Sequence, residues 1–320
     1  RGRYEVVHTH EEAGLLGPLL ARRLGVPHVY DMGNDWTAVL ENYGLSAGNP
    51  LVRLAGRLEW WVARHSAVVI AHFPALAERL QGIGTPVQVA YNVPLDPDPG
   101  PDEVASWRRR LAPEGERLVV YTGTLEPYQG VSQLLEAFAS LRSSLPATRL
   151  VLAGGEPTQL AALGAEIAGR GLAGAVELLG RIAADEVPAV QRAADVLVSP
   201  RLAGSNTPLK LFSYLRAGPP VVATATVAHR EVLGGGGALL VSPDATGLGE
   251  GLRRVLDDVA LAARLRAESR LLAAAFSPES YHAAVAAAYS WATPLPGLPP
   301  RAAAATSLPA DLRSAECPSS

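Results

Sequence analysis

Sulfur is nearly missing from this chain: its 320 residues include one cysteine, Cys317, and one methionine. A lone cysteine supplies neither an internal disulfide framework nor a thiolate metal centre, and such scarcity fits a reducing cytoplasm. Aromatics are thin, at 6% with four phenylalanines. No apolar run reaches the roughly 20 residues a spanning helix needs, so neither a transmembrane helix nor a signal peptide is expected. Charge is modest as well. Charged residues make up 18% and the net charge is −3, which excludes the basic surface of a general nucleic-acid binder. What the chain has is apolar material, 48%, enough for large cores and too much for global disorder. Its length suits two ordinary domains. The weight of Ala, Leu, Arg, Gly and Pro is that of a GC-rich bacterial coding sequence. The first residue is Arg1 rather than Met, and a strand follows almost at once, so the chain reads as part of a longer protein.

Strand-like and helix-like segments alternate. Tyr4–His8 reads as a strand and Gly14–Leu24 as a helix. A strand at His28–Tyr30, a helix at Leu51–Ala63, a strand at Ala67–Ile70, a helix at Ala75–Leu80 and a strand at Val87–Ala90 follow. The proline-dense stretch Asn92–Pro101 reads as a linker. The pattern then restarts with strands at Arg117–Tyr121, Arg149–Ala153, Val176–Leu179, Val196–Val198, Val221–Ala223 and Ala238–Val241. Leu134, Leu135, Phe138 and Leu141 recur at helical spacing. Near-continuous apolar strands separated by helices predict parallel sheets covered on both faces, an α/β fold with two doubly wound domains. Ligands of such sheets bind beyond the carboxyl ends of the strands, and the cleft between two such domains is the natural place for a site. The domains are expected at 1–100 and 101–275, with a C-terminal helix at 276–292 and a disordered tail at 293–320.

The sharpest chemical signal is Ser199–Phe212, where a strand runs into a loop and the loop into a helix. Asn206 or Thr207 suits the helix cap and Pro208 its first turn. Lys210 then sits at the positive end of the helix dipole, where an acid would be preferred. A bound anion, met by free backbone amides and the ammonium, relieves that misfit and points to a phosphate. Lys210 and Ser213 share a polar face with Asn206, while Leu209, Phe212 and Leu215 are expected to pack. Arg201 offers a second charge to the same anion. Two further glycine turns follow strands, at Tyr121–Gly130 around Gly123 and at Gly154–Gly155, and together these make a nucleotide-binding rim. His8, His10, Glu11 and Glu12 end the first strand, but no further ligand cluster supports a metal there. Arg57, Trp60, Trp61 and Arg64 share one helix, where basic and aromatic residues either touch a membrane surface or pack on the sheet with their heads in water.

These segments, with Gly180–Arg181 and Pro219–Thr224, resemble the donor domain of family-4 glycosyltransferases (glycosyl transferase group 1), over about residues 4–292. The resemblance implies the GT-B architecture of two facing Rossmann-like domains, the N-terminal one incomplete here. It implies transfer of a sugar from a nucleotide-sugar to a glycan, lipid or small-molecule acceptor, a hexosyltransferase-like reaction with retained anomeric configuration and with no metal or other cofactor. It assigns Lys210 to the donor diphosphate, with Arg201 beside it as a catalytic candidate. It assigns Gly123, Thr124, Glu126, Gly154, Gly155, Arg181, Ser205, Asn206, Thr207, Pro208, Leu209 and Ser213 to donor binding, and His10, Glu11 and Gly33 to the acceptor side. The chain departs from the family at five positions. The paired glutamates fall on Ser205 and Ser213, the basic pair of the first glycine turn on Thr124 and Gln129, and a histidine on Gly33. The implied location is the cytoplasm or the inner membrane's surface. A nucleotide-sugar epimerase of the same architecture and a non-catalytic sugar-nucleotide-binding subunit are the competing readings, the latter motivated by the replaced glutamates.

Overall fold

A computed structural model describes residues 4–293 apart from 92, 94–97, 204–207 and 235. The expected tail lies outside these residues. The described residues fall into two compact units, those up to 93 together with those from 276 onward, and those between. The boundary thus falls inside the proline-rich stretch, and the helix Pro278–Ala292 belongs to the first unit.

The first unit is built on a four-stranded parallel sheet of β1 (Val7–His10), β2 (His28–Met32), β3 (Val68–Ala71) and β4 (Val87–Val89), ordered as in sequence. Alternation along each strand divides the core. Tyr30, Met32, Val69 and Ala71 pack with Val62, Ala63 and Leu76 of the helices Pro50–Arg64 and Pro74–Arg79. Val29, Val68 and Ile70 pack with Ala288 and Ala292 of Pro278–Ala292. The expected helix 14–24 is interrupted. A 3₁₀ turn covers Glu11–Leu15, and the α-helix runs Gly17–Leu24 because Pro18, which has no amide hydrogen, fits only a first turn. A further helix, Trp36–Asn42, is started by Asp35, whose carboxylate accepts from the Thr37 and Ala38 amides.

The second unit holds six parallel strands: β5 (Arg117–Thr122), β6 (Thr148–Ala153), β7 (Val176–Gly180), β8 (Val196–Ser199), β9 (Val221–Thr224) and β10 (Ala238–Val241). Their order is β10-β9-β8-β5-β6-β7. The chain therefore moves outward from β5 in one direction, then returns to β8 and moves outward in the other. The crevice at the carboxyl ends of β5 and β8 is the topological switch point of a doubly wound sheet. Leu134, Leu135, Phe138 and Leu141 of the helix Val131–Ser144 are buried against this sheet as their spacing requires. Phe138 alone contributes about 1.5–3 kcal/mol by leaving water.

Candidate active site

At the carboxyl ends of β5, β6 and β7, within the second unit, lies a cavity of about 400 Å³. That volume suits a small organic ligand. Its floor is made by glycine turns. Gly123 (φ +144°) follows β5 and Gly154 (φ +123°) follows β6, conformations that favour glycine. A Cβ on Gly154 would stand 2.0 Å from the Gly123 carbonyl oxygen, and one on Gly123 would stand 2.8 Å from Lys210 Nζ. The missing side chains bring backbone and ammonium together.

Lys210, the single lysine of the 320 residues, is the first residue of the helix Lys210–Ala217 and lines the cavity. Its ammonium donates to Tyr121 Oη and Gln129 Oε1, each at 2.9 Å, and lies 4.1 Å from the centre of the Tyr121 ring. Those partners are neutral. Burial first, and the nearby Arg201 charge second, push its pKa down to about 7. An anion arriving at Nζ would be the first charge of opposite sign it meets among the described residues. The helix start offers fewer open amides than expected, since the Leu211 and Phe212 amides already donate to the Pro208 and Leu209 carbonyls. The side chain, rather than a fan of backbone amides, presents the charge.

Ser213 lines the same cavity one turn further along the helix. Beside it is Gln191, only 2% exposed, from the helix Val187–Arg192. At the rim, Thr124 Oγ1 accepts from Gln129 and Glu126 Oε1 accepts from Gln159. Arg181 pairs with Glu156 at 2.6 Å in solvent. Gly155 closes the turn against Leu125.

Other expected residues fall elsewhere. Arg201 does not line this cavity: it is buried, its Nε donates to the Ala203 carbonyl at 2.6 Å and its guanidinium lies over the Tyr128 ring. Its charge reaches Lys210 through space. Leu209, expected to pack and to bind donor, is 54% exposed because it precedes the helix; Leu211, Phe212, Tyr214 and Leu215 form the packed face instead. Pro208 is buried and serves the helix start through its carbonyl. Ser205, Asn206 and Thr207 lie outside the described residues.

In the first unit, the carboxyl ends of β1–β3 gather a second polar cluster. Asp31 faces three imidazoles: His72 Nε2 at 2.6 Å, His10 Nδ1 at 3.4 Å and His8 Nε2 at 3.5 Å. Burial works against its negative charge, but hydrogen bonds from His72 and His8 and the nearby imidazoles outweigh it and hold its pKa well below the usual range. Glu11 takes a left-handed backbone conformation (φ +50°). Its carboxylate, 16% exposed, accepts from Asn34 Nδ2 at 2.9 Å, and burial pushes its pKa up. Gly33 makes room for it: a Cβ there would stand 2.4 Å from Glu11 Oε1. His10, Glu11 and Gly33 thus lie together. No group of three ligand-type side chains suited to a metal ion occurs among the described residues.

Sequence reading placed Tyr121 and Gln129 in the first glycine turn but did not foresee them as partners of Lys210, and it missed Gln191 beside Lys210 and Asp31 and His72 beside His10. The Lys210 partners lie 81 and 89 residues away, beyond any local pattern. Asp31 left a trace, as a charge inside an otherwise apolar strand. On the helix Pro50–Arg64, Trp61 packs against the core, whereas Trp60 is exposed under the Arg64 guanidinium. Among the described residues no helix is long and apolar enough to cross a membrane.

Comparisons with known proteins agree with this geometry. Residues 116–258 match the family model described as glycosyl transferases group 1, and residues 1–95 match a glycosyl transferase 4-like domain. A D-inositol 3-phosphate glycosyltransferase of Stackebrandtia nassauensis is 30% identical over 299 residues, covering 86% of this chain and 66% of that protein. A 2-deoxystreptamine glucosyltransferase of Streptomyces kanamyceticus is 30% identical over 287 residues, covering 84% and 71%. The chain spans just under two thirds of the first of these relatives. Among solved structures, Anabaena HepE in complex with UDP-glucose superposes with a TM-score of 0.73 at 20% identity, covering 90% of this chain and 79% of that one. The sucrose-phosphate synthase of Thermosynechococcus elongatus gives 0.71 at 23%, covering 89% and 73%. These likenesses place the two parallel-sheet units in the GT-B fold class.

Proposed function

The chain belongs to the group 1 glycosyltransferases of family 4, and from that premise we propose that it moves a sugar from a nucleotide-diphosphate sugar to a small cyclic polyol. The observation that carries this reading is the Lys210 ammonium, held over Gly123 in the cavity at the switch point by neutral partners only. A donor diphosphate at Nζ supplies the missing counter-charge. Negative charge grows on the departing diphosphate as the anomeric C–O bond breaks, and a fixed cation at that point favours the transition state over the ground state. With retention, the acceptor oxygen forms its bond to the anomeric carbon on the face the diphosphate leaves. The acceptor's hydroxyl proton passes to the departing phosphate oxygen. No metal is required in this reading: Lys210 provides the charge, and the rim carboxylates Glu126 and Glu156 are already engaged by Gln159 and Arg181. Product analysis tests it. Sugar joined to the acceptor with the donor's anomeric configuration, at a rate unaffected by chelator, supports it. A free sugar isomer would favour an epimerase, and binding without turnover a non-catalytic subunit.

On the acceptor side, the proposal assigns Glu11 to a ring amine. Its carboxylate is largely buried and lies against the space left by Gly33, and its ion-pair partner among the described residues is the His10 imidazole, not a lysine or arginine. A protonated amine would gain there, whereas a phosphate would meet like charge. Two relatives bear the names of such cyclitols, one amino and one phosphorylated, and Glu11 favours the amino kind. Rates with 2-deoxystreptamine and D-inositol 3-phosphate, in the whole protein, test this directly. Peripheral contact with an anionic lipid surface is also part of the proposal, through exposed Leu51, Leu54 and Trp60 beside Arg53 and Arg57. Sedimentation with anionic vesicles tests it.

A further inference from the structure

A buried histidine that the donor reading leaves unused lies beneath the segment that leaves β8. His229, on the helix Val227–Leu233, is fully buried, as are Ser199 and Thr224 at the carboxyl ends of β8 and β9. Its Nδ1 lies 2.6 Å from the Thr224 carbonyl oxygen and its Nε2 lies 3.0 Å from Ser199 Oγ. A carbonyl only accepts, so Nδ1 carries the proton and Nε2 accepts from the Ser199 hydroxyl. Burial first, then the Arg201 and Lys210 charges, outweigh the Thr224 carbonyl and bring the imidazole pKa down to about 4, so the ring is neutral at physiological pH. Thr224 Oγ1 in turn donates its one proton to the Arg201 carbonyl. One imidazole thus ties together the ends of two neighbouring strands, and Thr224 extends the tie to Arg201.

From Arg201 the contacts run on to Lys210. The Leu202 amide donates to the Tyr128 carbonyl at 2.8 Å, and the Arg201 guanidinium lies 5.5 Å from the centre of the Tyr128 ring. A Cβ on Gly130 would stand 2.0 Å from the Pro200 carbonyl oxygen. Residues 200–202 are therefore pressed onto the turn Pro127–Gln129. That turn supplies Gln129, whose Oε1 accepts from the Lys210 ammonium at 2.9 Å while its Nε2 donates to Thr124 Oγ1 at 3.3 Å. We propose that Thr224 and His229 are positioning residues for sugar transfer: the Nδ1–H imidazole orients Thr224, Thr224 holds the Arg201 carbonyl, and the segment after β8 then keeps Gln129 against Lys210. Neither residue lines the cavity. Their effect is on where the cation stands, and a misplacement of about 1 Å at a reacting centre can cost about a hundredfold in rate. This rests on the reading of Lys210 as the cation that meets the donor diphosphate.

The sequence makes the test direct. Lys210 is the single lysine, so the whole protein labelled at lysine Cε and Nζ gives one side-chain resonance, and its titration reads this ammonium alone. Tyr121, Arg201 and His229 are the titratable groups beside it. Burial pushes the Tyr121 pKa up and the His229 pKa down, and an arginine stays charged, so none of the three changes charge across the Lys210 titration. Wild type is expected to titrate at about 7. Thr224→Val keeps the shape and loses the hydroxyl; Lys210 then gains water and Arg201 stands farther off, and both changes favour the charged amine. Its midpoint is expected about one pH unit higher or more, a tenfold change in the protonation equilibrium. Thr224→Ser keeps the hydroxyl and is expected to titrate as wild type does. A role confined to folding would lower the melting temperature of Thr224→Val and leave its midpoint at the wild-type value, and that result overturns the inference while the donor reading stands. A second measurement needs no variant: nitrogen-resolved spectra of the wild-type histidine rings should show His229 as the neutral Nδ1–H tautomer at neutral pH. The Nε2–H tautomer, or an imidazolium, would overturn the inference. A wild-type Lys210 midpoint near 10.4, the value of a free lysine, would remove the donor reading's buried ammonium as well.

Discussion

A lysine with its pKa near 7 makes donor binding a proton-uptake reaction. In an unfolded chain the Lys210 ammonium would titrate near 10.4, and its cavity lowers this to about 7. One phosphate charge about 4 Å from Nζ contributes roughly 4 kcal/mol at an effective dielectric constant near 20, about three pKa units, and so returns the group to about 10. At pH 8 the empty site is then about nine-tenths neutral, and the occupied site is protonated. Binding a nucleotide-diphosphate sugar at pH 8 should take up about 0.9 proton, and at pH 6 about 0.1. A pyrophosphate diester has no proton of its own to exchange in this range. Affinity should fall with a slope approaching tenfold per pH unit above 7, about fiftyfold in all between pH 7 and pH 9. Calorimetry in two buffers of different ionisation enthalpy reads the proton count directly. Lys210→Met should abolish both the uptake and the slope. No proton uptake at pH 8, or affinity flat from pH 6 to pH 9, would refute the reasoning.

Other consequences follow from the same contacts. Gly123→Ala places a Cβ 2.8 Å from Nζ at φ +144°; it should lower melting stability by about 1–3 kcal/mol and weaken UDP binding by more than about tenfold. Glu59, buried under the Trp36 amide and beside Arg79, has its pKa pushed up to about 7 by burial. Because the folded chain holds that proton more tightly than the unfolded one, stability should decline from about pH 4.5 to pH 7, by at most about 1.4 kcal/mol per unit, and Glu59→Gln should flatten the decline in urea titrations. Glu11→Gln should reduce kcat/KM for an amine-bearing acceptor about tenfold or more and leave UDP affinity unchanged. Phe138→Ala should cost about 3–5 kcal/mol in chemical denaturation, since it empties the centre of the second unit's core.

The sheets were legible because their strands are apolar on both faces. Runs such as Leu118–Tyr121 and Leu150–Ala153 allow little else, and strand boundaries moved by only one or two residues except at the first strand, which starts at Val7 rather than Tyr4. Short or proline-marked helices were hidden. The helix Pro101–Leu111 begins on a proline that reads as the end of a linker, although Asp102 and Glu103 in its first turn mark a helix start. Lys210 and the turns at Gly123 and Gly154 were visible, because a misplaced charge and strand-end glycines are local signals. Gln191 was not: it meets Thr122 across 69 residues of sequence, and only the fold brings its amide to the cavity. The same holds for Arg201, whose charge promised a second phosphate contact until the chain turned it onto Tyr128 and Ala203.

The central claim concerns one ammonium and a departing diphosphate, so the decisive measurement is single-turnover sugar transfer by Lys210→Met in the whole protein. Loss of about a hundredfold or more in rate at saturating donor, the usual scale for removing one fixed charge-stabilising donor, is the expected result. A rate within about threefold of wild type would contradict the account.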